Sequence, residues 1–252
     1  MSEHPNILWI VTDQQQADLL SAAGNPYVST PNIDWIASGG TRFERAYCAN
    51  PVCVPSRFSL FTGHYPSEIG QRSNPVDTVD RESAKHYYEQ AVGWQLREAG
   101  YRTVYAGKQH LPCATAEDTG FEVLTQNPRE TMAHECVNFL EQEQTKPFAM
   151  VASFVNPHDI CFKAIRDAAG TEFESPHEAR LLQNAKTQIE YLNTAELRPE
   201  GVSKSEFFDK YCPPLPSNHR PQQDEPEMIQ ALLDQRLFRR NARENYTAED
   251  WR

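Results

Sequence analysis

Three near-continuous apolar runs frame this chain. Asn6–Val11 (NILWIV) leads into Thr12-Asp13, Tyr101–Ala106 (YRTVYA) into Gly107-Lys108, and Phe148–Val155 (FAMVASFV) into Asn156-Pro157. Runs that do not alternate with polar residues predict strands covered on both faces, the pattern of a parallel sheet. Helical spacing lies between them. Thr30-Pro31 offers an N-cap and a first-turn proline, and Gly39-Gly40 ends that short helix. A second helix is predicted over about Tyr88–Ala99, stopped by Gly100, and a third over about Glu130–Glu143, stopped by Lys146-Pro147. Helix, short loop, apolar strand and polar loop, repeated, predict an α/β class: a doubly wound, mostly parallel sheet flanked by helices.

The pattern divides the chain unevenly. Residues 1–162 read as an α/β core. Residues 163–246, with Pro213, Pro214, Pro216, Pro221 and Pro226, read as an irregular insertion or lid of the same domain, with a helix over Glu227–Arg240. Thr247-Ala-Glu-Asp announces a helix that residues 247–252 only begin, as expected of the front part of a longer protein. The polar residues directly after the three strands are Asp13-Gln14, Gly107-Lys108-Gln109-His110 and Asn156-Pro157-His158-Asp159. Ligands of open α/β sheets bind beyond the carboxyl ends of the strands, so an acid, a cation and two histidines are expected to share one site there.

Composition narrows the partners. The chain has 252 residues and a formal charge of −11, from 24 Lys and Arg against 35 Asp and Glu. A surface this acidic excludes general nucleic-acid binding, and any anion site must be assembled locally from a few cations. No run reaches the length of a membrane span, and the N-terminus lacks the basic start of a signal peptide, so a cytoplasmic location is expected. There, the six cysteines should be reduced and mostly buried, and no CxxC pair suggests structural zinc.

Cys53 stands apart, at the mouth of a predicted helix and just ahead of Pro55-Ser56-Arg57. It could pair with Cys48, act as a thiolate activated by the helix dipole and Arg57, or simply be buried. The stretch CVPSRFSLFTG, Cys53–Gly63, resembles the signature of the type I, formylglycine-dependent sulfatases of the alkaline-phosphatase superfamily. Further similar segments, in order, are NILWIVTDQQ, TPNIDWIASGGTRFERAYCANPVC, YRTVYAGKQHL and FVNPHD, all within about the first 160 residues. His64 stands where the family usually has Arg, and Gln14 where many members have a second Asp.

The resemblance implies an alkaline-phosphatase-like fold and hydrolysis of a sulfate monoester. It implies that a maturation enzyme oxidises Cys53 to formylglycine, whose hydrated form attacks sulfur with one hydroxyl and releases sulfate with the other. Asp13, Gln14 and residue 53 would ligate Ca²⁺ (or Mg²⁺). Arg57 would stabilise the ionised diol and Lys108 the sulfate charge; His110 would contact the diol, and His158 would protonate the leaving alcohol. The substrate would be a small-molecule or carbohydrate sulfate ester. The family completes its metal shell with a later Asp-His or Asp-Asn pair, and none occurs before Arg252. The chain alone is therefore expected to be inactive, and the cut sheet to be poorly soluble unless an oligomer or partner covers its edge. Two other readings stay open: a phosphonate or phosphate ester hydrolase of the same superfamily, to which Gln14 points, and a non-catalytic fragment.

Overall fold

A computed structural model describes residues 4–75, 79–168, 183, 185–195, 199–216, 219, 224–234 and 236–251. Most of 169–198, part of the segment read as a lid, lies outside these, as does Pro221. The chain divides into two compact units, residues 1–15 with 42–157, and residues 16–41 with 158–252.

The first unit holds a four-stranded, all-parallel sheet in the order β1-β4-β2-β3. Its strands are β1 (Ile7–Asp13), β2 (Arg102–Gly107), β3 (Glu122–Thr125) and β4 (Phe148–Pro157). The three apolar runs became three of these strands. The short β3 was not anticipated, since only two of its four residues are apolar. Four helices accompany the sheet: α2 (Cys53–Thr62), α3 (Arg81–Glu89), α4 (Val92–Glu98) and α5 (Met132–Glu141). The helix expected over 88–99 is thus two, broken at Gln90-Ala91. Asp80 caps α3 by accepting from the Ser83 amide.

Period-two alternation sorts the strand residues between two packed faces. Val104, Ala106, Met150 and Ala152 meet Met132, Cys136 and Phe139 of α5 on one side. On the other, Tyr105 and Val151, with Trp9 and Val11, meet Phe61 of α2 and Phe121. The Phe61 ring lies 5.4–6.0 Å from the rings of Trp9, Tyr105 and Phe121. Such tilted and edge-on contacts each add about 0.5–1.5 kcal/mol beyond area burial.

The sequence reading of β1 as a buried strand needs correction. Among the described residues β1 pairs only with β4 and forms an edge, and Ile7, Leu8 and Ile10 remain 37%, 47% and 46% exposed. Leu8 and Ile10 pair with Met150 and Ala152, on the face that α5 covers over β2 and β4. An exposed apolar edge is a template for intermolecular pairing. The double variant Leu8→Lys/Ile10→Lys should raise the monomeric fraction in size-exclusion chromatography and cost about 1 kcal/mol or less in stability. An unchanged monomer fraction would show that this edge does not drive association.

The second unit is helical in its described residues. It contains α1 (Pro31–Ser38), α6 (Phe162–Asp167) and later helices at Lys186–Ala195, Glu227–Asp234, Leu237–Asn245 and Ala248–Trp251. The single helix expected over 227–240 is therefore two. Thr30 does not cap α1 through its hydroxyl; it donates to Asp34, which also accepts from Ser21. Asp167 accepts from Lys163, Arg166 and the Tyr246 hydroxyl at 2.7–2.9 Å. Partial burial opposes its charge, but Lys163, Tyr246 and Arg166 outweigh that and pull its carboxyl down to about 2. Among the described residues, no helix is long and apolar enough to cross a membrane.

Candidate active site

The site forms where β1 ends beneath the N-terminus of α2. Alternation carries Trp9, Val11 and Asp13 to the α2 side, although the register with β4 shifts between Val11 and Asp13. Cys53 is the first residue of α2, after an extended Val52, so its side chain lies where the helix dipole favours negative charge. Arg57 follows one turn later on the same face.

Asp13 and Arg57 are 7% and 5% exposed, a buried ion pair at 3.1 Å. Lys108 closes on the same carboxylate oxygen, Oδ2, at 2.8 Å. Oδ1 lies on the other side, 3.7 Å from Cys53 Sγ. Burial would raise the Asp13 pKa, but Lys108 and Arg57 override it and hold the carboxyl below its usual range. At neutral pH the centre therefore carries one negative and two positive charges.

Arg57 is held by more than Asp13. Its Nη1 donates to the Lys108 carbonyl and to Ser153 Oγ, both at 2.8 Å, and reaches the Tyr105 hydroxyl at 3.5 Å. Gly107, at φ +96°, turns the chain at the end of β2, while the Lys108 amide still bonds Ser153 O. Burial pushes the Tyr105 phenol up, with the Arg57 charge pulling the other way; the hydroxyl remains a donor at neutral pH.

A cavity of about 240 Å³ opens over this centre, lined by residues including Asp13, Gln14, Cys53, Ser56 and Arg57. Gln14 sits there with a left-handed backbone, φ +62°. The structure thus brings together Asp13, Gln14, Cys53, Arg57 and Lys108 from three segments. His110, also left-handed at φ +50°, is not part of that cavity's lining. His158 follows β4 directly and opens a short 3₁₀ turn in the second unit, its Nδ1 3.9 Å from Cys161 Sγ. All six cysteines are free thiols, so Cys53 is not paired with Cys48. Only Cys136 and Cys212 are buried, fewer than expected. Tyr105 and Ser153 escaped the sequence reading because both lie inside apolar runs and read as core.

As a ligand set, Asp13 Oδ1, the Gln14 amide and an oxygen at position 53 fit one side of a hard cation, which takes six to eight oxygens. Asp13 is the only acid in the cavity lining, and its Oδ2 already carries two cations. A full shell would need donors beyond those in the cavity lining.

A family model described as Sulfatase matches residues 5–212. An ulvan-active sulfatase of Formosa agariphila is 32% identical over 166 residues, 64% of this chain and 32% of that protein. An arylsulfatase of Clostridium perfringens is 38% identical over 108 residues, 42% of this chain and 21% of that protein. Among solved structures, a 2-O GAG sulfatase aligns with a TM-score of 0.55 at 28% identity, over 69% of this chain and 39% of its own. A protein solved with its substrate D-glucosamine-2-N,6-O-disulfate aligns with a TM-score of 0.52 at 25% identity, over the same shares. The chain thus spans a fifth to two fifths of the length of these relatives. With the motif helix, the Asp13–Arg57–Lys108 centre and a family match across most of its residues, the chain belongs to the sulfatase family.

Proposed function

We propose that this chain carries the nucleophile side of a centre that hydrolyses sulfate monoesters, with Cys53 as the precursor of formylglycine. The observation that carries this reading is that Asp13, Arg57 and Cys53 line one small cavity, with Lys108 paired to the same Asp13 carboxylate. Once formed, a hydrated formylglycine supplies two hydroxyls, one to take up the sulfuryl group and one to release it. A Ca²⁺ or Mg²⁺ ion held by Asp13, Gln14 and residue 53 would polarise sulfate oxygens.

The chain's own residues do the rest. Arg57, locked by four acceptors, keeps positive charge beneath residue 53, where an ionised oxygen must develop. Lys108 places a second cation at the same carboxylate and balances incoming sulfate. His110 is the group assigned to the nucleophile's second hydroxyl, and His158 the proton donor to the leaving alcohol. The relatives named for ulvan, for GAG and for a sulfated glucosamine favour a carbohydrate sulfate as substrate. No observation favours the phosphonate reading over this one. A formylglycine-generating enzyme is the implied maturation partner, and a cytoplasmic location belongs to the same reading.

The tryptic peptide Ala46–Arg57, from chain produced in its native host, is the test. A mass at residue 53 matching formylglycine is the expected result, and an unmodified thiol overturns the maturation reading. Turnover of an aryl sulfate by the 252-residue chain alone would overturn the view that its metal shell needs donors from elsewhere.

A further inference from the structure

We propose that Tyr105 and Ser153 are positioning residues for Lys108, acting through its backbone carbonyl. The inference rests on the reading of Lys108 as the cation that receives sulfate. Three donors converge on that single oxygen: Tyr105 O–H at 2.5 Å, Ser153 Oγ at 2.8 Å and Arg57 Nη1 at 2.8 Å. A strand-end carbonyl normally faces a neighbouring strand or water. This one follows the left-handed Gly107 and points instead into the space between α2 and the sheet, where all three donors are buried.

The geometry has a directional consequence. Fixing the peptide plane after Lys108 fixes where its side chain leaves the backbone, and Nζ then reaches Asp13 Oδ2 with the side chain only 13% exposed. Ser153 contributes twice, accepting from Arg57 while donating to the Lys108 carbonyl. The same guanidinium that grips Asp13 from one side therefore grips the backbone of Lys108 from the other. Neither Tyr105 nor Ser153 lines the cavity. They act by holding the two cations in one rigid arrangement around a single carboxylate, the preorganisation that charge stabilisation requires.

The test follows Lys108 by amine acetylation of the native 252-residue chain, with rates read peptide by peptide and exposed Lys85 and Lys204 as internal references. Each hydroxyl removed, in Tyr105→Phe or Ser153→Ala, should speed Lys108 acetylation about fivefold relative to the references, the weight of one hydrogen bond. Ser153→Thr keeps the hydroxyl and should restore the original rate. Global loosening would also speed the part-buried Lys163, which an effect confined to Lys108 leaves unchanged. An unchanged ratio in both single variants, or failure of Ser153→Thr to rescue, overturns the proposal. Because the readout needs neither turnover nor modified Cys53, it stands apart from the sulfatase reading. That reading is checked in the same experiment by adding inorganic sulfate, which should protect Lys108 in the unaltered chain. Loss of that protection alone would fault the assigned role of Lys108, not its positioning.

Discussion

Replacing Arg57 by alanine should lower the thermal midpoint by about 10 °C at pH 7. Lys108 still neutralises Asp13, so the cost, about 3 kcal/mol in total, comes from buried acceptors left without their Arg57 donor, and each kcal/mol is worth about 2–4 °C in a domain of this size. Those acceptors are Asp13 Oδ2, the Lys108 carbonyl and Ser153 Oγ. The effect should depend on pH with a defined sign. Asp13 titrates below its ordinary 3.8 in the folded chain, so its ionisation contributes stability that is present above about 3.8. That contribution is lost as pH falls through the lower folded value. Without Arg57 the folded value rises, though Lys108 still lowers it, so the variant holds less of this contribution and has less left to lose in strong acid. Melting curves between pH 3 and 7 should show the gap narrowing toward the acid end. A variant within about 2 °C of the unaltered chain at neutral pH would mean that the pair is not holding this site together.

The parts of this site that the sequence disclosed were those set by position along the chain. Asp13 and Lys108 follow apolar runs, and Arg57 follows Cys53 by one helical turn; each could be placed at a strand end or helix mouth without knowing any neighbour. Tyr105 and Ser153 could not. Inside continuous apolar runs, nothing distinguishes a tyrosine that packs from one whose hydroxyl reaches a backbone carbonyl. The hint lay in alternation: Tyr105 lies two residues before Gly107 and three before Lys108, on the face that meets α2. β3 was missed for a related reason, since four residues that begin with Glu122 and end with Thr125 carry too little periodicity. The burial of β1 was overstated because an apolar run reports that a strand is coverable, not that its neighbours are present. Helix boundaries failed where two helices abut without a glycine or proline, as at Gln90-Ala91.

Gly107→Ala should be the most damaging single-methyl change at this site, costing about 3 kcal/mol or more and leaving little folded chain at 37 °C. Two independent penalties meet there. The residue holds φ +96°, where an L side chain is strained by about 1–3 kcal/mol. The added Cβ would also stand 2.3 Å from both Ser153 O and Met132 Sδ. The sulfur could swing aside, but Ser153 O is the backbone acceptor for the Lys108 amide and cannot retreat without opening the β2–β4 pairing. Gly63→Ala separates the two penalties: its φ is +75°, yet nothing lies within 4 Å of where its Cβ would stand. That control should cost only about 1 kcal/mol, the conformational penalty alone. Urea midpoints for both variants decide the matter, and equal losses would mean that the close approach at Gly107 relaxes freely. A clear excess at Gly107 would tie the strand packing to the chemistry. The contact that forbids a methyl group there is the one that sets β2 close against Ser153, where the Lys108 carbonyl meets its three donors.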